Sequence, residues 1–96
     1  MMLPKLKIQE IAYDHPDSRF QFVVGPEKPL LSTPAAIEMH TRETVLACYL
    51  VLKRVAEQMD GIDYLQVFED ESKEEDLWFI EDDDGGAITG MLPSDY

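Results

Sequence analysis

Thr41 to Gly61 reads TRETVLACYLVLKRVAEQMDG, and this stretch decides the class of the fold. Thr41 is typical of a helix N-cap, Glu43 puts a negative charge in the first turn, and Gly61 is a common helix stop. Between these signals, apolar residues recur at helical spacing. We therefore predict one long helix that runs from Thr41 to about Asp60.

The predicted helix carries more apolar residues than one buried stripe explains. Those on one side of the helical wheel suit packing on a sheet: Val45, Cys48, Tyr49, Leu52, Val55, Ala56 and Met59. Leu46 and Leu50 point the other way, among charged side chains. These two leucines predict either a contact surface for a second copy or another protein, or a surface covered internally by the proline-rich segment 25–34, which contains Leu30 and Leu31.

Three strands are predicted after the helix. Aromatic and β-branched residues favour strands at Asp63–Asp70 (DYLQVFED) and Leu77–Glu81 (LWFIE), which the charged segment 71–76 joins. Asp84-Gly85 is a hairpin signal, and Ala87–Leu92 (AITGML) then returns as a last strand. The C-terminal third is therefore predicted to be a three-stranded antiparallel meander.

A first hairpin is predicted before the helix. Lys5–Tyr13 alternates polar and apolar residues with one phase slip that is typical of a β-bulge, and Arg19–Val24 alternates again. Prolines keep the stretch that follows extended or looped. Residues 35–40 alternate as a short strand does, although Pro34 can also start a helix; we predict a strand.

Together these elements predict an α+β fold: an antiparallel sheet of five to six short strands in the order β-β-(β)-α-β-β-β, with one long helix packed on one face. The length of 96 residues and an apolar content of 45% suit a single folded domain, 1–96. Cys48 is the only cysteine, so no internal disulfide forms, and its place in mid-helix predicts a small buried residue rather than a nucleophile.

The negative charge is concentrated in the last third of the chain. Residues 67–96 carry eleven acids against one base, whereas residues 1–66 carry nine acids against seven bases, and the whole chain is at −12. Such a one-signed field repels nucleic acid and anionic membrane and attracts basic protein surfaces or hard cations. We therefore predict no direct nucleic-acid binding and no membrane binding. No run reaches the roughly 18 apolar residues of a membrane span, and a cytoplasmic location is predicted.

Eight carboxylates are candidates for binding a basic surface of a protein partner: Glu71, Glu74, Glu75, Asp76, Glu81, Asp82, Asp83 and Asp84. Successive turns of a meander lie at opposite ends of the sheet, so the acids of 71–76 and those of 81–84 are expected about 17–20 Å apart. They predict an acidic stripe or two acidic ends rather than one shared cation site. The alternative is that these turns only keep the chain soluble and guard against edge pairing.

A calcium site is an alternative use of the second acidic group. Glu81, Asp83 and Asp84 are its weak candidate ligands, in a run that ends in two glycines. An EF-hand loop needs oxygen ligands at positions 1, 3 and 5 and a bidentate Glu at position 12. Aligning the second glycine with position 6 puts Gly85 and Leu92 at positions 5 and 12, so two ligands are lost. An EF-hand is therefore not expected, and no cofactor is predicted.

No catalytic residue is predicted. His15 and His40 fit ordinary surface or helix-end histidines, no serine lies in a nucleophile-elbow context, and there is no glycine-rich phosphate loop.

The leading prediction is a non-enzymatic small acidic regulator or inhibitor that docks on a basic surface of a protein partner, in one version as a DNA mimic. The alternatives are a calcium-binding or calcium-regulated protein that uses 81–84 and an enzyme of unidentifiable class. A homodimer through Leu46 and Leu50 is a further prediction.

Overall fold

The structure, a computed structural model, describes residues 4–7, 21–25, 28–82 and 86–96. Over these residues the elements are, in chain order, β1 (Lys5–Lys7), β2 (Leu30–Ser32), α1 (Pro34–His40), α2 (Arg42–Gln58), β3 (Leu65–Glu69), β4 (Leu77–Glu81), β5 (Ile88–Met91) and a 3₁₀ helix (Pro93–Asp95). The predicted α+β class is confirmed. The long predicted helix corresponds to α2, and the three strands predicted after it correspond to β3, β4 and β5.

The five strands form one mixed sheet in the order β1-β3-β4-β5-β2. Adjacent strands from β1 to β5 are antiparallel, so the predicted meander is confirmed as β3-β4-β5. The prediction of a purely antiparallel sheet is wrong, because β2 pairs with β5 in parallel. β2 lies in the proline-rich segment that was predicted to be extended or looped. Pro29 is tolerated next to it because an edge strand pairs on one side only, and the Pro29 carbonyl accepts from Ile88 N at 3.0 Å.

Residues 35–40 belong to α1, so the prediction of a strand there is wrong. Pro34 lies in the first turn of α1, where the missing N–H of a proline costs no helical hydrogen bond. Thr33 caps this helix by accepting a hydrogen bond from Ala36 N at 3.2 Å. The single predicted helix is therefore accompanied by a second, shorter one.

The predicted ends of the long helix are close to the observed ones. Thr41, at φ 74°, separates the two helices and accepts a hydrogen bond from Thr44 N at 3.2 Å, which confirms its predicted capping role. α2 ends at Gln58, and Gly61 follows at φ 100°, in the left-handed region that favours glycine. Met59 is 52% exposed because it lies past the last helical residue, so its predicted place on the buried stripe is wrong.

The strand predicted at Arg19–Val24 is not a strand over its described residues, 21–24. Phe22 is fully buried at φ 52°, outside the β region of backbone conformation. Its N–H donates to the Glu81 carboxylate at 3.2 Å instead of joining a strand ladder. Residues 8–20, which carry the rest of the predicted hairpin, lie outside the described residues.

The core lies between the helices and one face of the sheet. Cross-strand partners share a face, and the pairs Phe68–Leu77 and Phe79–Gly90 lie on the face toward the helices. The buried helix residues that pack there are Ala36, Val45, Cys48, Tyr49, Leu52 and Ala56. A Cβ at Gly90 would lie 3.1 Å from Val45 Cγ1, so this glycine allows α2 to approach β5 closely.

Candidate functional site

The turn between β3 and β4 contains the first predicted acidic group, and its own carboxylates hold it in shape. Asp70 Oδ1 accepts hydrogen bonds from Ser72 N at 3.0 Å and from the Ser72 hydroxyl. Asp70 N donates to Asp76 Oδ1 at 3.1 Å, and Lys73 N donates to the Asp70 carbonyl at 3.3 Å. Asp76, one of the predicted partner-binding acids, therefore has a structural role within the turn.

The 3₁₀ helix after β5 contacts the same turn. Ser94 donates to Glu75 through both its N–H and its hydroxyl, at 2.9 and 2.8 Å. Asp95 Oδ2 accepts from the Thr33 hydroxyl at 2.6 Å and from Leu92 N at 3.0 Å. These two hydrogen bonds lower the pKa of Asp95 below its ordinary value. The turn, the C-terminal segment and the start of α1 thus meet at one end of the sheet.

We name this region the acidic end and define it by Glu71, Glu74, Glu75, Asp76 and Asp95. Glu71 and Glu74 are exposed, whereas Glu75 and Asp76 are half-buried. Asp95 was not among the predicted residues, because it stands alone in the sequence and only the packing of the 3₁₀ helix brings it here. The acidic end is therefore assembled from two separate parts of the chain.

Asp82, which belongs to the second predicted acidic group, follows β4 at the end away from the acidic end, as expected for a meander. Asp82 is exposed there. Asp83 and Asp84 lie outside the described residues. The structure therefore keeps Asp82 a full strand away from the acidic end.

Glu81 points into the protein. It is 6% exposed, because the register of β4 places it on the same face as Leu77 and Phe79. Its Oε2 accepts from Phe22 N at 3.2 Å, and its Oε1 lies 3.2 Å from Lys28 Nζ. This placement corrects the expectation of a surface acid at Glu81, since both carboxylate oxygens are engaged inside the protein.

Within the described residues, no three His, Cys, Asp or Glu side chains come close enough together to hold a metal ion. Of the three weak calcium candidates, Glu81 is engaged with Phe22 and Lys28. The calcium hypothesis rests on Asp83 and Asp84, and it stays a prediction.

His40 and Asp70 form a buried contact between the end of α1 and the end of β3. His40 is 1% exposed, and its Nδ1 lies 3.3 Å from Asp70 Oδ2. The contact does not meet the geometry of a hydrogen bond, and neither ring nitrogen has a hydrogen-bond partner among the described residues. His40 is thus a helix-end residue as predicted, but its burial was missed because nothing in the local sequence indicates it.

Cys48 lies in the same part of the core, close enough for the charge of Asp70 to affect its thiol. Burial, together with a smaller effect of Asp70, raises the pKa of the Cys48 thiol to about 12. Because the thiolate is the reactive form, this thiol is no nucleophile near neutral pH. The prediction of a small buried residue at Cys48 is confirmed by its exposure of 1%.

We expect Asp70→Asn to remove a pH-dependent part of the stability. Burial raises the pKa of Asp70, but hydrogen bonds from Ser72 and the nearby His40 ring outweigh it, so the net pKa lies below the ordinary value. A carboxyl with a lowered pKa stabilises the native state above its unfolded pKa of about 3.9, and this stabilisation is lost as the pH falls through the native pKa. Urea unfolding at a series of pH values measures the effect.

The variant should unfold about 1 kcal/mol more easily than the wild type at neutral pH, because Asn keeps an acceptor for Ser72 but loses the charge that strengthens these hydrogen bonds and that faces His40. The difference should shrink once the pH falls below about 4. Ser72→Ala removes only the hydroxyl hydrogen bond to Asp70 Oδ1 and keeps the one from Ser72 N, so it should reproduce part of the loss. A difference that stays constant down to strongly acidic pH would contradict the role given to Asp70.

The outer face of α2 is the second surface that the sequence pointed to. Leu46 is 49% exposed and Leu50 is 55% exposed. Leu30 packs against the core, and Leu31 is 50% exposed on the opposite side of the sheet, next to Thr89 in register. The described part of the proline-rich segment therefore does not cover the two helix leucines, so that alternative is wrong.

Comparisons of the chain with protein-family models, curated protein sequences and solved structures gave no match. Among the described residues, no helix combines the length and the apolar content that crossing a membrane requires. Function is therefore inferred from the two surfaces of the described residues, the acidic end and the outer face of α2.

Proposed function

We propose that this protein is a non-enzymatic binding protein that docks on a basic surface of another protein through its acidic end. The proposal rests on one observation: some acids of the β3–β4 turn make hydrogen bonds within the protein, whereas others are exposed to solvent. Asp70 and Asp76 hold the turn, and Glu75 holds the C-terminal segment. Glu71 and Glu74 are left exposed on this braced turn.

A braced turn is a favourable place for carboxylates that bind a partner. Its backbone is already ordered by side-chain hydrogen bonds, so docking costs little further conformational entropy. Lys73 is the only base among residues 69–76, so the local field is strongly negative. Such a surface speeds the encounter with a basic partner and makes the affinity sensitive to salt.

The version in which the protein mimics DNA needs a row of carboxylates along one surface. The described acids among the eight candidates instead gather at the acidic end, except for Asp82 at the other end of β4 and Glu81 in the interior. We therefore propose a basic protein surface as the target, without mimicry of DNA.

The test compares two double variants with the same net charge. Glu71→Gln/Glu74→Gln neutralises the exposed acids of the acidic end. Glu38→Gln/Asp82→Asn neutralises two exposed acids elsewhere, one on α1 and one after β4. Binding of an arginine-rich peptide to each protein is measured by isothermal titration calorimetry at low and high salt.

We expect the acidic-end variant to bind about three- to tenfold more weakly at low salt and to lose much of its salt dependence, because exposed charge pairs contribute up to about 1 kcal/mol each. The matched variant should bind like the wild type. Both should stay folded, with unchanged or slightly higher melting temperatures, since neutralisation reduces repulsion within a chain at −12. Equal losses in both variants would show that net charge alone attracts the peptide, and the proposal would then be wrong.

A further inference from the structure

The outer face of α2 presents an apolar surface that the proposed function does not use. Leu46, Leu50 and Val51 are 49%, 55% and 43% exposed. They lie on the side of the helix that faces away from the sheet, because its other side carries the buried Val45 and Leu52. Three large apolar side chains spread across one exposed helix face are typical of a protein contact.

The residues along the middle of this face follow the spacing of a helix-pairing seam. Glu43, Ala47, Leu50 and Arg54 are separated by four, three and four positions, so they share one side of the helix. Glu43, Leu50 and Arg54 are exposed, and Ala47 is half-buried. The seam therefore has a small and a large apolar residue at its centre and opposite charges at its two ends.

We propose that two copies of this protein pair through the outer face of α2, with the two helices antiparallel across a two-fold axis that passes between residues 48 and 49. In this arrangement Leu50 of one copy meets Ala47 of the other, and Glu43 meets Arg54. Each contact occurs twice, as a two-fold interface requires. Leu46 and Val51 flank the seam on its two sides and add apolar area.

Charge complementarity identifies a second copy as the occupant. The charged side chains of α2 outside its buried stripe are Arg42, Glu43, Lys53, Arg54 and Glu57, three bases and two acids, whereas the whole chain is at −12. Two copies therefore repel each other least when they approach through this face. A basic partner would not be attracted to this face, because the face carries more bases than acids. The pattern of the seam also matches its own reversed copy, a property that binding of a different protein does not require.

The experiment measures the dimer dissociation constant by sedimentation equilibrium for the wild type and for two matched variants. Leu50→Glu puts a charge at the centre of the seam, and Leu31→Glu puts the same charge on a residue of equal size that is 50% exposed on the far side of the sheet. We expect Leu50→Glu to raise the dissociation constant about 100-fold, because each dimer loses two apolar contacts and gains two buried charges. Leu31→Glu should leave it within about twofold of the wild type, since this side chain lies away from the seam.

A charge reversal separates self-pairing from docking of another protein. Arg54→Glu places like charges opposite each other at both ends of the seam and should weaken the dimer about tenfold, whereas Glu43→Arg/Arg54→Glu should restore it. Circular dichroism confirms that each variant is folded. A wild type that stays monomeric at the highest soluble concentration, or a double reversal that fails to restore pairing, would overturn the proposal. Long-range repulsion between copies is screened by salt, so the wild-type dimer should strengthen as salt is added.

Discussion

Phe79→Ala is expected to lower the free energy of unfolding by about 3–5 kcal/mol, the range for truncating a large buried aromatic residue. Phe79 is fully buried, and its ring meets Phe68 edge to face, with 5.6 Å between ring centroids and 71° between planes. Its Cε1 lies 3.4 Å from the position of a Cβ on Gly90, where α2 already packs against β5. The helix therefore cannot move in to fill the cavity, and the loss is not relieved by relaxation.

Trp78→Ala is the matched comparison, since it truncates a larger aromatic residue one position away on the other face of the sheet. Trp78 is half-buried, and it meets Tyr96, which is 76% exposed, at 5.9 Å between ring centroids. We expect a loss of only about 1–2 kcal/mol, because most of the tryptophan contacts are at the surface. Both losses are measured by urea unfolding. A larger loss for Trp78→Ala than for Phe79→Ala would contradict the assignment of the main core to the face of the sheet that carries Phe79.

Glu81→Ala is expected to cost about 2–4 kcal/mol, although it removes a negative charge from an acidic chain. The substitution leaves Phe22 N buried without its acceptor and removes the Glu81 carboxylate that faces Lys28 Nζ. The Lys28 side chain is 26% exposed and regains part of its hydration, which keeps the loss below that of a fully buried ion pair. Thermal and urea unfolding measure the change.

Two neighbouring variants make the Glu81 prediction specific. Asp82→Ala removes the next acid along the chain, which is exposed, and should change stability by no more than about 0.5 kcal/mol. Glu81→Gln keeps an acceptor for Phe22 N but loses the charge that faces Lys28, so its effect should be intermediate. If Glu81→Ala were as well tolerated as Asp82→Ala, the inward orientation of Glu81 would be wrong.

Elements with strong local signals were predicted well. The cap at Thr41 and the glycine at Gly61 bracket α2, and β4 has the predicted bounds Leu77–Glu81. These elements are determined by side-chain spacing and by backbone preferences within a few residues. The same local rules fail for β2, which has only three residues and depends on its pairing with β5, 58 positions further along the chain at Leu30–Ile88.

Within the candidate site, the positions of some acids followed from the local sequence, whereas those of others were decided by tertiary packing. Glu71, Glu74 and Asp82 are exposed as expected of acids in turns, whereas Glu81 belongs to a run of acids but lies inside. The strand period placed Glu81 on the same face as Leu77 and Phe79, but the sequence does not say which face of β4 meets the helices. Asp95 joined the acidic end only through the contacts of the 3₁₀ helix.

By itself, the sequence determined the α+β class, the long helix, the three-stranded meander and the concentration of negative charge, because periodicity, capping and composition act locally along the chain. Only the tertiary structure decided the parallel pairing of β2, the helix at Pro34–His40, the burial of Glu81 and His40, and the exposure of Leu46 and Leu50. These features depend on which faces of the helices and the sheet pack together, and on which donor from a distant part of the chain reaches a buried carboxylate. Burial of that kind is settled by long-range packing and hydrogen bonding, which no short window of sequence contains.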